Sequence, residues 1–150
     1  MKIRQYSTAD YSAVLAVYSS AKLDELKYEQ AEFELLPLDK DEIRYTQLFE
    51  SDIFVYGDKD ILAFCALCGS EIRALFVHPK ARGQGIGIKL LEFMLDKINA
   101  DASLYVAASN FPAITLYQRY GFKTSFSFTT TYNETAVVAN KMERQLDYSE

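Results

Sequence analysis

The sequence predicts an α/β fold with a mixed, mostly antiparallel central sheet of about seven strands flanked by helices. Short runs rich in β-branched and aromatic residues alternate along the chain with segments of helical periodicity. The chain has 150 residues, of which 49% are hydrophobic and 14% aromatic, and this is enough apolar surface for one self-sufficient core. We therefore expect a single domain spanning residues 1–150.

The first half of the chain predicts mainly strands, with helices before the second of them. A helix is expected over Ala9–Tyr18, where Ser7 or Thr8 can cap its first turn. The charged segment Leu23–Phe49 is interrupted by Pro37 and is expected to form two helical pieces. Apolar, β-branched runs predict four strands, of which the second and third form a hairpin. These strands are Ile3–Tyr6, Ile53–Tyr56, Ile61–Cys68 and Glu71–Val77.

The second half alternates helices with strands and closes on a hairpin. Amphipathic spacing predicts a helix over Gly87–Ile98, and Ala113–Tyr120 forms a shorter helix that Gly121 ends. The remaining runs predict three strands, and a turn at Asn133–Glu134 joins the last two. These strands are Leu104–Ala107, Phe122–Thr131 and Thr135–Ala139. The last two strands offer a surface on which a homodimer could pair.

Composition excludes several classes of protein. The net charge of −5 disfavours a nucleic-acid-binding face, and the apolar run Ile61–Gly69 is too short to span a membrane. The first residues do not open a signal peptide, and Cys65 and Cys68 lie three apart in a predicted strand, where their sulfurs would diverge. We therefore expect packing thiols, no metal and a cytoplasmic location.

The most informative stretch is Arg82-Gly83-Gln84-Gly85-Ile86-Gly87, which follows a strand and opens a helix. Glycines at alternate positions let a ligand approach the backbone, and the helix N-terminus offers free N–H groups and partial positive charge to a pyrophosphate. The stretch lacks the Lys-Ser or Lys-Thr of a P-loop and the glycine spacing of a dinucleotide fingerprint. Without its surroundings, it is also compatible with a simple tight turn.

This loop resembles the coenzyme A loop of the GNAT (GCN5-related) N-acetyltransferase superfamily, [Arg/Gln]-x-x-Gly-x-[Gly/Ala]. Its flanks match as well, because Ala74–Pro79 resembles the strand that precedes the loop in that family. Downstream, Asn110–Phe122 resembles the family pattern N-x-x-A-x-x-[LF]-Y-x-x-x-G-F, and Asn110 follows Arg82 by 28 residues, leaving room for one helix and one strand. The resemblance implies the acyl-CoA N-acyltransferase fold and acetyl-CoA as co-substrate.

The resemblance also implies a role for each matching position. Phe76 and Val77 would hold the pantetheine arm through main-chain groups, and Asn110 would contact the same arm. Tyr117 would protonate the departing thiolate, a role that suits a phenol of pKa near 10 beside a thiol of pKa about 8.5. The pyrophosphate would be bound by the residues of the loop: Arg82, Gly83, Gln84, Gly85, Ile86 and Gly87.

The residue that deprotonates the acceptor amine is less clearly marked. Glu71 is placed like the glutamate of histone-type members of the family, but it is equally compatible with a solvated residue at the start of a strand, and Arg73 can pair with it. His78, the sole histidine, is a weaker candidate at a strand-to-loop corner. Acidic residues that either attract a cationic amine or form a solvated face are Glu25, Glu29, Glu32 and Glu34.

Two functions of different classes follow from this interpretation. The first is an N-acetyltransferase that moves the acetyl group of acetyl-CoA to a primary amine of a small molecule or peptide by direct attack in a ternary complex. The alternative is a non-catalytic acyl-CoA-binding sensor or regulatory module. Tyr117 favours the enzyme, because a pure binding module does not need a proton donor beside the sulfur.

Overall fold

The computed structural model describes residues 3–146. Met1 and Lys2, on which the expectation about a signal peptide partly rests, lie outside the described residues. Residues 3–146 form a seven-stranded sheet in the order β1-β2-β3-β4-β5-β7-β6, in which β4 and β5 run parallel and the other neighbours antiparallel. The strands are β1 (Ile3–Gln5), β2 (Asp52–Tyr56), β3 (Ala63–Cys68), β4 (Glu71–Val77), β5 (Ala102–Ala107), β6 (Lys123–Tyr132) and β7 (Thr135–Arg144).

Helices cover both faces of this sheet. The α-helices are α1 (Tyr11–Ala21), α2 (Glu42–Phe49), α3 (Ile86–Ile98) and α4 (Phe111–Arg119). Short 3₁₀ turns occupy Thr8–Asp10, Lys22–Leu26, Leu38–Lys40 and Pro79–Ala81. None of the helices within residues 3–146 is long and apolar enough to cross a membrane.

The position of β3 inside the sheet explains why its sequence is apolar throughout. Cys65 and Leu67 pack with α3 on one face, whereas Phe64 and Ala66 pack with α1 on the other. A strand buried on both faces carries a continuous apolar run rather than an alternating one. The thiols of Cys65 and Cys68 are free, and burial raises the pKa of the Cys65 thiol to about 12, so it behaves as a packing group.

The prediction of two helical pieces over Leu23–Phe49 is wrong for the first piece. After a short 3₁₀ turn, residues 27–37 are non-helical, and only α2 is a regular helix. The backbone of this segment bonds to the β6–β7 hairpin instead: Leu36 N–H donates to the Tyr132 hydroxyl at 2.7 Å, and the Asn133 side chain donates to Glu34 C=O at 3.0 Å. These long-range partners replace the hydrogen bonds of a helix.

The predicted hairpins are confirmed, and the largest difference in strand length is in β7. The turn at Asn133–Glu134 has both residues at positive φ, and β2 pairs with β3 as predicted. Strand β7 continues to Arg144 rather than ending at Ala139, because it pairs with β5 on one side and β6 on the other. Its second half is polar in sequence, and sequence alone could not show that two neighbouring strands support it.

Candidate active site

The site begins where the two parallel strands separate. In residues 3–146, the register of β4 with β5 pairs Glu71 with Ser103 and Ile72 with Leu104. Further along, the strands line a cavity of about 680 Å³, with Phe76 on one side and Val106 on the other. The β4 backbone beyond Ile72 therefore borders an open cleft on the β5 side, where its N–H and C=O groups can bind an extended ligand.

The glycine loop lies at the end of β4 and opens α3. Gly83 and Gly85 have φ values of +79° and +76°, and a Cβ added at either would meet no heavy atom of the described chain within 4 Å. The first turn of α3 directs N–H groups without helical partners towards this space. The loop thus fits a pyrophosphate, because its backbone is accessible and the helix terminus carries partial positive charge.

The flanking loop residues are placed differently. Ile86 is buried in the core, which leaves its backbone N–H as the group that can face a ligand, while Gln84 is exposed. The Arg82 guanidinium is exposed and forms an ion pair with the Asp24 carboxylate, and it lies 3.4 Å from Val77 C=O. A phosphate bound here would compete with Asp24 for Arg82.

The cavity brings four of the sequence-predicted residues together. Its lining includes Glu71, Phe76, Asn110 and Tyr117. Val77 and the loop residues 82–87 are not part of that lining, since they lie beyond it at the end of β4. The arrangement is therefore a cleft lined by the candidate reacting groups, with the glycine loop after the end of β4.

Tyr117 lies on α4 and is half-buried at the cavity wall. Its ring packs edge-on against Phe122, with 5.8 Å between the ring centroids. Burial, and to a smaller extent the charge of Glu25, raises the pKa of Tyr117 above its usual value near 10. The phenol therefore stays protonated at neutral pH, which is the form that a proton donor requires.

Asn110 and His78 both have local structural roles. The Asn110 side chain caps α4 by accepting from Ala113 N–H at 3.5 Å. His78 Nδ1 accepts from Lys80 N–H at 3.1 Å, which orders the turn after β4. His78 does not line the cavity within the described chain, so its geometry does not favour a catalytic role.

Glu71 lies at the closed end of the β4–β5 cleft. Its carboxylate accepts from Arg73 Nε at 3.1 Å, which confirms the pairing across two residues of one strand. Arg73 also binds the Glu50 carboxylate and donates to Gln47 C=O at 3.1 Å. Arg73 thus fixes the position of Glu71, whose side chain is 29% exposed and borders the cavity.

The acidic residues of the N-terminal half divide between the site and the surface. Glu25 lines the cavity and pairs with Lys22 at 2.9 Å, and Glu29 accepts from the Ser109 hydroxyl. Glu32 and Glu34 are exposed. Of the four, Glu25 alone lines the cavity within residues 3–146.

Sequence reasoning missed a second polar group in this cavity: Tyr18, Lys22, Arg44 and Tyr132. Tyr18 and Lys22 stand four residues apart, a helical spacing that puts them on one face, but their partners come from α2 and β6. No motif links elements so far apart in the chain. The one signal in the sequence was Tyr18, which lies on the apolar stripe of the predicted helix four residues before Lys22.

The structure combines two features: a mixed sheet that opens between the parallel strands β4 and β5, and a glycine-rich loop that follows β4 and begins a helix. Together they define the acyl-CoA N-acyltransferase class of α/β folds. The model of the acetyltransferase (GNAT) domain matches residues 50–124, which is half of the chain. The chain belongs to the GNAT acetyltransferase family.

Two curated proteins match part of the chain, and the second of them is named as an acetyltransferase. The chain is 44% identical over 54 residues to the human cysteine-rich protein 2-binding protein, a match covering 35% of this chain and 7% of that protein. It is 34% identical over 71 residues to the peptidyl-lysine N-acetyltransferase YjaB of Salmonella typhimurium, covering 47% and 48% of the two chains. These matches span about half, or much less, of the relatives' own length.

Solved structures show the same fold over nearly the whole chain. A GCN5-related N-acetyltransferase from Rhodopseudomonas palustris superposes with a TM-score of 0.77 at 15% sequence identity, covering 96% of this chain and 94% of that one. The similarity includes the N-terminal third, where the family model does not reach. The predicted fold class is thereby confirmed.

Proposed function

We propose that this chain acts as a single-domain N-acetyltransferase that transfers the acetyl group of acetyl-CoA to a primary amine. The observation that carries the proposal is the cleft between β4 and β5, which has an anion-binding glycine loop beyond one end and Tyr117 in its wall. A simple tight turn does not need an accessible backbone, an open cleft and a buried phenol in one place.

The chemical groups of acetyl-CoA match those of the cleft and the glycine loop. Its pyrophosphate would accept from the N–H groups of Gly83 to Gly87, with Arg82 and Gln84 beside it. Its pantetheine arm would lie along the main chain of Phe76 and Val77, next to Asn110. Bound in this way, acetyl-CoA supplies an activated thioester inside the cavity, near Tyr117.

The reaction requires three proton movements, two away from the acceptor nitrogen and one onto the sulfur. The acceptor arrives as an ammonium and must lose a proton, for which Glu71 is the candidate base, acting directly or through water. The amine nitrogen then attacks the thioester carbonyl, so that a C–N bond forms while the C–S bond breaks. Tyr117 donates its proton to the departing sulfur, and the attached nitrogen loses its second proton, which passes through water and restores the Tyr117 phenol. Orientation of both substrates in one cleft would supply much of the rate.

The cavity must accept both substrates at once, and its composition supports this. Glu71 and Tyr117 line the same space, so base and acid can act on one reacting centre. Direct attack in a ternary complex needs no enzyme nucleophile, and the buried Cys65, whose pKa is raised to about 12, is unsuited to that role.

Location and assembly stay predictions within this proposal. The reduced cysteines favour the cytoplasm. Strand β6 lies at one edge of the sheet, where a second copy could pair with it. The proposal requires neither a metal nor a partner subunit.

The test is a panel of amines incubated with acetyl-CoA, in which released coenzyme A and acetylated product are both measured. The panel should include polyamines, amino acids, aminoglycosides and a lysine peptide, the last because YjaB carries that activity in its name. We expect at least one amine to be acetylated by wild type and far more slowly by Tyr117→Phe. Tight acetyl-CoA binding without transfer to any amine would favour the sensor module instead.

A further inference from the structure

Tyr18 has a buried hydroxyl group that the fold leaves without a partner. The side chain lies on α1, is 3% exposed, and lines the candidate active-site cavity. Among residues 3–146, it is the one buried side-chain polar atom that lacks a hydrogen-bond partner. Buried hydroxyl groups are normally paired, so this group has an open position for a ligand atom.

Two cations line the same cavity as Tyr18. Lys22 Nζ is 5.8 Å from the centroid of the Tyr18 ring and 5.1 Å from that of Tyr132, and its side chain is 11% exposed. The Arg44 guanidinium lies 5.0 Å from the same Tyr132 ring. The three donors therefore surround one region of the cavity wall, contributed by α1, the turn that follows it, and α2.

The cluster has more donors than acceptors. Lys22 has three N–H groups, of which the described chain engages one, through Glu25 at 2.9 Å. Arg44 donates to Asp41 at 3.1 Å and to Thr131 C=O at 3.0 Å. Glu25 and Asp41 balance the two cations, so the group is formally neutral. Its unused capacity is N–H and O–H, which calls for an oxygen acceptor.

A carboxylate meets this requirement better than an ammonium. Its two oxygens are acceptors, which matches the unused N–H and O–H groups of Tyr18, Lys22 and Arg44. An ammonium would bring further donors to a donor-rich wall and would be repelled by Lys22. Burial raises the pKa of Tyr18, so its hydroxyl group remains a donor at neutral pH.

We propose that Tyr18, Lys22 and Arg44 form a carboxylate subsite, so that the acceptor is an amino acid or a similar small molecule carrying both an amine and a carboxylate. This inference rests on the proposed transferase function. The carboxylate would be held at the α1–α2 wall while the amine faces Glu71, since Tyr18, Lys22, Arg44 and Glu71 all line one cavity. The subsite would thus set both the class of acceptor and its orientation.

Binding tests this subsite without requiring catalysis. Wild-type protein saturated with coenzyme A is titrated with amino acids and with the matching amino acid amides, which keep the amine and lose the carboxylate. We expect at least one amino acid to bind about tenfold or more tightly than its amide, the effect of a hydrogen bond to a charged group. Equal affinities, or tighter binding of a polyamine or a lysine peptide, would overturn the inference, as would no amino acid binding.

Variants assign the preference to the proposed residues. Tyr18→Phe keeps the ring that packs against Phe76, with centroids 5.1 Å apart, and removes only the hydroxyl group. Tyr11→Phe is the control, because it deletes a hydroxyl on the same helix that bonds to Tyr45 away from the cavity. The carboxylate preference should fall about tenfold in Tyr18→Phe and in Arg44→Gln, and stay at the wild-type level in Tyr11→Phe. An unchanged preference in both cavity variants would contradict the assignment.

The two proposals fail in different ways. Acetyl transfer to amines with no preference for a carboxylate would leave the transferase standing and remove the subsite. Carboxylate-selective binding that Tyr18→Phe abolishes, without transfer to any amine, would leave the subsite standing and remove the transferase. Transfer from acetyl-CoA with kcat/KM higher for an amino acid than for its amide would support both.

Discussion

The two sides of the cavity are built from different kinds of groups. The side formed by residues 71–124 combines the open backbone of β4 with the side chains of Glu71 and Tyr117, and the glycine loop and the first turn of α3 lie beyond it at the end of β4. The opposite side offers side chains from α1, α2 and the β6–β7 hairpin, such as Tyr18, Arg44 and Tyr132. The first side is suited to one shared ligand, and the second to a particular acceptor.

This difference explains why only one side of the cavity can be recognised from a sequence motif. A pyrophosphate held by main-chain N–H groups needs a chain that can approach closely, and therefore fixes glycines at set intervals. A carboxylate held by a tyrosine, a lysine and an arginine needs only that three distant segments meet. The first requirement is visible as a linear motif, whereas the second becomes visible only in the folded chain.

The largest effect on the rate is expected from Tyr117→Phe, on the side of the cavity formed by residues 71–124. Removing the hydroxyl group deletes the proton donor needed as the thiolate leaves, so kcat should fall about 10²–10⁴-fold while acetyl-CoA affinity stays within a few fold. Steady-state kinetics and calorimetry measure the two quantities. Tyr120→Phe, which removes an exposed hydroxyl bonded to Glu92 at 2.8 Å, is the matched control. Equal rates for wild type and Tyr117→Phe would make Tyr117 a packing residue.

Gly85→Val tests whether backbone access binds the co-substrate. A valine at φ +76° is strained, and its side chain would occupy the space in front of the first turn of α3. We expect acetyl-CoA affinity to fall about 10²-fold, the equivalent of two or three hydrogen bonds. Gly69→Val is the control, since Gly69 has φ +60° and open space in the turn between β3 and β4. If both variants bind equally well, the loop is only a turn.

Glu71→Gln tests whether Glu71 is the base that deprotonates the acceptor amine. The acceptor amine would no longer be deprotonated by a carboxylate, so kcat/KM at neutral pH should fall about 10²-fold, at the lower end for a lost general base. Raising the pH should restore part of the rate, because more of the amine is then uncharged. Glu50→Gln, which alters the other carboxylate on Arg73 but does not border the cavity, should have little effect. A drop that no increase in pH relieves would indicate a positioning role.

The smallest effect is expected from Asp10→Asn, in the turn that precedes α1 and outside the cavity lining. The buried Asp10 carboxylate accepts twice from Arg4 at 2.8 Å and once from Ser7 N–H at 2.9 Å, and these bonds lower its pKa to about 2. Because Arg4 is half-exposed, we expect a loss of about 1.5 kcal/mol in the free energy of unfolding. Urea unfolding of Asp10→Asn and of the surface control Asp96→Asn measures it.

The pH dependence of that loss follows from the direction of the shift. The folded pKa of Asp10 lies below its ordinary value near 3.8, so the stabilisation is complete above that value and disappears as the pH falls through about 2. Wild type and Asp10→Asn should therefore converge in acid. Acetyl-CoA should stabilise both proteins equally at neutral pH, since Asp10 does not line the cavity. A smaller acetyl-CoA effect in Asp10→Asn would show that the two sides are coupled.

Sequence predicted the parts of this molecule whose physics is local. The apolar run of β3, the hairpin turn at Asn133–Glu134, and the loop from Arg82 to Gly87 each depend on neighbouring residues. The irregular segment 27–37 could not be predicted, because its hydrogen bonds go to Tyr132 and Asn133, about a hundred residues away. The cavity wall of Tyr18, Lys22 and Arg44 was missed for the same reason.

The most direct test of the account is the thermal unfolding of the wild-type protein with and without acetyl-CoA. A ligand that binds the folded state alone stabilises it by mass action, about 2.7 kcal/mol at a hundredfold excess over Kd, and raises Tm accordingly. The account predicts a saturable rise in Tm that free coenzyme A also produces and that Gly85→Val loses. An unchanged Tm at saturating acetyl-CoA would contradict the central claim that the β4–β5 cleft and its glycine loop bind this co-substrate.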